Sequence, residues 1–186
     1  MSPILGILAS QNYPRVTNAY FSIASTTLTS TTASVIFTSI PATYTHLQVR
    51  LIGKSGYTGG TGPDNFHIRF NSDSTLTNYY RHLVRGNGSV ADSLTANDNT
   101  IISSISTSLD NADTYGGVVI DVLDYANTNK YKTTRYLGGV DYNGSGYIQL
   151  GSVLWSNTAA ITTLYVAPGN QWAADTTVAL YGIKGA

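Results

Sequence analysis

The sequence predicts an all-β protein, a two-sheet antiparallel β-sandwich of the jelly-roll type, and three observations carry that prediction. The composition lacks helix formers: none of the 186 residues is Glu, Lys occurs four times, and Ser and Thr together number 44, beside 14 Tyr, 14 Asn and 18 Gly. Thr and Tyr suit a pleated, half-buried surface, while Gly, Asn and Asp supply turns. Apolar residues recur with a period of two, in about ten or eleven short runs. Turn signals separate these runs at the ~8–12-residue spacing of sandwiches and barrels.

Residues 20–29 begin the pattern, and Val35, Phe37 and Ile40 continue it. In HLQVRLI, Leu47, Val49 and Leu51 point to one face and His46, Gln48 and Arg50 to the other. FHIRF repeats this, with Phe66, Ile68 and Phe70 inward and His67 and Arg69 outward; YYRHLVR, residues 79–85, is a weaker version. Residues 95–109 are too rich in Ser, Thr and Asn for a helix and read as a loop or irregular strand. GGVVIDVLDY sets Val118, Ile120 and Val122 against Val119, Asp121 and Leu123, so both faces are partly apolar. That pattern predicts a central strand covered on both sides. YKTTRYLGGV, GYIQLGSVLW, ITTLYVA and TTVALYGI complete the series. The turns are Gly59-Gly60, Pro63-Asp64, Asn87-Gly88, Gly116-Gly117, Asn143-Gly144 and Pro168-Gly169. Residues 20–186 thus form a single sandwich domain, preceded by residues 1–19.

Ten basic residues balance ten acidic ones, all Asp, and charged residues are only 11% of the chain. No long-range field is advertised, so neither nucleic acid nor an anionic membrane is an expected partner. Cysteine is absent, which removes disulfides and thiolate metal sites. A hydroxyl- and amide-rich surface with few long charged side chains suits permanent packing against neighbours. An extracellular sandwich would share that composition.

The chemistry-bearing motifs are thin. The Gly-rich stretch at residues 55–65 lacks the Gly-Lys-Ser/Thr ending of a phosphate loop and joins two strands. His46, His67 and His82 have no close ligand spacing for zinc. Asp121 and Asp124, three apart on one strand, point to opposite faces and cannot act as a pair. Asp110 and Asp113 offer oxygen ligands for Ca²⁺, and an ordinary Asp/Asn turn fits them as well. No G-x-S-x-G elbow selects a nucleophile. The expectation is a protein that is not an enzyme and uses neither metal nor cofactor. Asn87 and Asn143 match the N-glycosylation pattern but read as Asn-Gly hairpin turns. Tyr57, Tyr79, Tyr80 and Tyr142, near loops, are the candidates for stacking on a glycan or a neighbouring subunit, with Tyr115, Tyr136 and Tyr147 as further members of that set.

The N-terminal stretch MSPILGILASQNYPR crowds Ile4, Leu5, Ile7 and Leu8 into five positions. A secretory signal needs basic residues before its apolar run, and here Arg15 follows it. The run falls far short of the ~20 residues that span a bilayer. As a strand it would point apolar groups to both faces, with Pro3 and Gly6 interrupting pairing. Two readings stay open: a terminal strand of the protein's own sheet, and an arm that docks Ile4, Leu5, Ile7, Leu8 and Tyr13 on a neighbour. The arm is the favoured expectation.

Four stretches carry a resemblance: SIPATYTHLQVRL at 39–51, VIDVLDYANTNKYKTTR at 119–135, LWSNTAAITTLYV at 154–166 and VALYGIKGA at 178–186. Together they resemble tailed-bacteriophage virion β-sandwich proteins of the capsid cement or decoration and fibre or tail types. The resemblance covers about residues 20–186, and Tyr-Lys-Thr-Thr and Leu-Tyr-Gly-Ile-Lys are its most specific parts. It implies a non-enzymatic particle component, made in the bacterial host cytoplasm and located on the virion capsid surface. Its implied partners are the major capsid protein and further copies of itself, as a homotrimer. The alternative it leaves is a tail-fibre or receptor-binding module that recognises host surface glycans.

Overall fold

The computed structural model describes residues 19–110, 113–142 and 144–185. Among these, one turn of 3-10 helix at Leu76–Asn78 interrupts twelve strands. In chain order they are β1 (Tyr20–Thr27), β2 (Val35–Phe37), β3 (His46–Gly53), β4 (Pro63–Phe70), β5 (Tyr79–Gly86) and β6 (Ala91–Ala96). There follow β7 (Thr100–Ser106), β8 (Gly116–Leu123), β9 (Lys132–Asp141), β10 (Gly146–Trp155), β11 (Leu164–Pro168) and β12 (Thr177–Ile183).

All pairings between these strands are antiparallel. One sheet has eight strands in the order β1-β12-β3-β8-β9-β10-β5-β6, and the other has four in the order β2-β11-β4-β7. The two pack as a sandwich, as the composition and periodicity predict. Setting aside β5, β6, β9 and β10, the remaining strands run one-eight-three-six in the large sheet and two-seven-four-five in the small one. That succession is consistent with a jelly roll. The strands set aside are two hairpins that extend the large sheet beyond β8.

Local chemistry accounts for the hairpins. Asn87 Oδ1 accepts hydrogen bonds from the backbone N–H of Ser89 (3.0 Å) and Val90 (2.8 Å), and Gly88 takes φ 86° between β5 and β6. Gly144 takes φ 115° between β9 and β10, where Tyr142 N–H donates to the Ser145 carbonyl at 2.7 Å. Gly88 and Gly144 therefore both lie at tight turns, where a residue with φ > 0 is required.

The core lies between the sheets. Leu47, Val49 and Leu51 of β3, Phe66, Ile68 and Phe70 of β4, and Val118, Ile120 and Val122 of β8 are all buried, as the alternation predicts. Aromatic rings fill the ends: Phe66 sits 5.8 Å from Trp172, and Phe70 sits 5.6 Å from Trp155 and 6.3 Å from Tyr79, all tilted.

Two sequence expectations are sharpened and one is corrected. Within residues 95–109, the end of β6 and the whole of β7 are strand, because β7 pairs its backbone with β4 (Phe66↔Ile101, Pro63↔Ser106) and needs no alternating side-chain pattern to do so. The weak alternation of residues 79–85 arises because Arg81 faces the interior with Tyr79 and Leu83, its charge met by Asp98 at 2.8 Å. Finally, β8 is central but, among the described residues, is covered on one face only. Val119, on the other face, is 40% exposed.

Candidate assembly surface

The outer face of the eight-stranded sheet is where the sequence puts apolar residues that the fold does not cover. Strand register brings them into one row: Val84 of β5 pairs with Leu150 of β10, Leu150 with Leu137 of β9, and Leu137 with Val119 of β8. At the ~4.8 Å spacing between strands, these four side chains form a stripe across four neighbours. The next row carries Ile148 of β10 and Ile52 of β3, separated by Gly139 and Gly117. The six apolar side chains are 40–63% exposed, and among the described residues no element packs over them. Together they leave on the order of 500 Å² of apolar surface open, a patch of the size that commonly serves an interaction.

Polar groups border the stripe in fixed positions. Gln48 donates from Nε2 to Asp121 Oδ1 at 2.8 Å and accepts from Arg50 Nε at 2.9 Å. The Arg50 guanidinium lies over the rings of Tyr20 (5.6 Å) and Tyr181 (5.4 Å), which locks that long side chain against the sheet. Arg135 lies opposite Asp121 across the β8–β9 pair. An apolar centre with a held polar border is the anatomy of a protein–protein contact.

The residues singled out from the sequence fare differently. Ile4, Leu5, Ile7, Leu8 and Tyr13 lie outside the described residues. Tyr57 is exposed near the end of the sandwich where β3 finishes, whereas Tyr80 is exposed at the opposite end, on the outer face of β5. Tyr142 is half-buried at the β9–β10 turn, its hydroxyl pushed above its ordinary value by burial and then by the nearby Asp110 and Asp64 carboxylates. The structure therefore does not gather these tyrosines into one site. Tyr79 leaves the surface set altogether. It is fully buried, its hydroxyl accepting from Phe70 N–H and donating to the Asp73 carbonyl, both at 3.1 Å, and burial pushes it up to about 12. Tyr136 is likewise interior.

A cleft of about 500 Å³ opens at the Tyr142 end, lined in part by Asn87, Asp110, Tyr142 and Tyr147. Its Asp110 and Asn87 side-chain acceptors are already engaged by the fold. Asp110 accepts from Gly62 N–H at 2.9 Å and from the N–H (2.6 Å) and hydroxyl (3.0 Å) of Thr107, and Asn87 Oδ1 caps its own turn. Asp110 thus acts as a turn residue that ties the β3–β4 loop to the end of β7. Among the described residues no three His, Asp or Glu side chains come together as a metal site.

Sequence reasoning missed Lys132, in the Tyr-Lys-Thr-Thr segment. It is fully buried, and its ammonium donates to the carbonyls of Asn127 (2.5 Å), Lys130 (3.0 Å) and Thr158 (2.9 Å). It ties the β8–β9 loop to the β10–β11 loop. The outer stripe, by contrast, did leave a signal: the second apolar face of GGVVIDVLDY. No protein-family model matches the chain, and no curated protein matches it.

Proposed function

We propose that this chain is a non-enzymatic structural protein of a tailed-bacteriophage particle, a decoration or cement protein that binds the outer shell as an oligomer and stabilises it. The observation that carries the reading is the uncovered apolar stripe Val84–Leu150–Leu137–Val119 on a near-neutral sandwich. A monomer that stayed alone in water would gain by replacing those residues with polar ones, whereas an assembling protein keeps them. The four stretches that resemble phage virion sandwiches supply the kind of assembly, and the crowded Ile4, Leu5, Ile7 and Leu8 supply a segment for gripping the shell. Modest contacts repeated around an oligomer add up through avidity, which is how a small protein braces a large shell.

Cryo-EM of the particle tests this reading. Density for the sandwich bridging major capsid subunits is the expected result, and density confined to the tail eliminates it. The cleft beside Tyr142 and Tyr147 favours a second reading, recognition of a host surface glycan at that end. Because the Asp110 and Asn87 acceptors there are engaged internally, it ranks below assembly. A glycan array probed with the purified chain is expected to be negative, and specific binding would reverse the ranking.

A further inference from the structure

We propose that the outer face of the eight-stranded sheet is covered by the same face of a second copy of this chain, giving a two-fold dimer packed sheet on sheet. The inference rests on the assembly reading above and names the partner of that surface. Three features of the face argue for a copy of itself.

The first is shape. A two-fold contact requires a patch that complements itself. Ile148 protrudes, and in the same row Gly139 and Gly117 bring no side chain before Ile52 rises on the far side. A side-chain carbon added at Gly117 would meet nothing within 4 Å, so that position is an open trough. A two-fold axis running along β9 exchanges β8 with β10. It sets Ile148 of each copy into the Gly117 trough of the other, Leu150 against Val119, and Leu137 against Leu137. Strands of the two sheets then run in the same direction, within the aligned packing that sandwiches adopt at about 10 Å separation.

The second is charge. The chain carries no net charge, so copies do not repel at long range. Outer positions bear Arg50 and Arg135 against Asp121 and Asp141. On the proposed axis Arg135 and Asp141, both on β9, each meet their own copy, and an Asp121 from each copy lies beside the Arg135 pair as counter-charge. The third is area. Two such patches with their polar borders remove about 1,000 Å² or more, the size at which specific interfaces begin. The same axis places Ala19 of both copies at one end of the dimer.

The experiment is sedimentation equilibrium on the purified full chain from about 1 to 100 μM, with two variants. The wild type is expected to be a dimer. The double variant Leu137→Glu/Leu150→Glu is expected to be a monomer across that range, its dissociation constant raised at least about 100-fold by charges placed in the apolar centre. Gly117→Leu fills the trough without adding charge, at a position where an added side-chain carbon meets no atom of its own chain within 4 Å, and is expected to weaken the dimer at least about 10-fold with an unchanged circular dichroism spectrum, its melting temperature falling only as far as the lost association requires. A monomeric wild type overturns the pairing and leaves the particle reading to be decided by cryo-EM. A trimer, or a dimer that survives both variants, also overturns it, because the contact then lies elsewhere, for example along the β6 or β1 edge.

Discussion

Asp73 and Lys132 carry much of the order at the end of the sandwich where β1 begins. The Asp73 carboxylate accepts from Trp155 Nε1 (2.8 Å), Asn78 Nδ2 (2.8 Å) and Thr75 N–H (2.9 Å). Desolvation pushes its carboxyl up, but these hydrogen bonds outweigh it and hold it below the ordinary carboxylate value. Its stabilising contribution is therefore present above the unfolded carboxylate range near pH 4 and is lost as pH falls through the folded value. Asp73→Ala is expected to cost about 2 kcal/mol in urea denaturation at pH 7, with a smaller penalty at pH 3. Lys132→Met removes an ammonium and strands three carbonyls, and is expected to cost about 2–3 kcal/mol in the same assay. The phenols give the opposite sign. Burial pushes Tyr79 and Tyr136 up to about 12 and also raises Tyr115, Tyr125 and Tyr142. Stability from keeping them neutral is full below pH ~10 and lost as pH climbs toward ~12. In ultraviolet titration a subset of the 14 tyrosines should ionise only together with alkaline unfolding. None of this was legible in the sequence. Lys132 reads as one more residue of the YKTTRYLGGV strand and Tyr79 as a rim aromatic until the fold brings their distant partners to them.

At the scale of the element, strand positions were readable wherever one face is apolar and the other polar. HLQVRLI and FHIRF alternate cleanly because β3 and β4 each bury one set of side chains against the opposing sheet. The strand β7 was hidden because its sequence, TIISSIS, does not alternate apolar with polar residues, and β5 was blurred by the buried Arg81. The Gly88 turn announced itself, since positive φ there is a local demand that only a few residues meet, whereas Pro63-Asp64 and Gly116-Gly117, which read as turns, are the opening residues of β4 and β8. Gly88→Ala is expected to lower stability by about 1 kcal/mol, read from the denaturation midpoint, by straining the β5–β6 turn without displacing any neighbour.

At the scale of the whole molecule, the sandwich followed from composition and periodicity, while its open face did not. The two apolar faces of β8 predict cover on both sides, and the described residues supply cover on one. An apolar position facing another sheet of the same chain and one facing a different chain are chemically identical, so the alternation of a single sequence cannot tell them apart. Among the described residues, the core from β1 to β12 is assembled from residues 20–183. Deleting residues 2–12 is accordingly expected to leave the melting temperature within about 2 °C of the full chain while abolishing co-sedimentation with particles. Unfolding of the truncated chain would instead assign that segment to the protein's own core. The central claim, that this sandwich is a shell component, is tested most directly by the number of copies per purified particle, measured by quantitative mass spectrometry. A decoration protein repeated over a symmetric shell predicts on the order of hundreds of copies, and a count of a handful, or none, would contradict it.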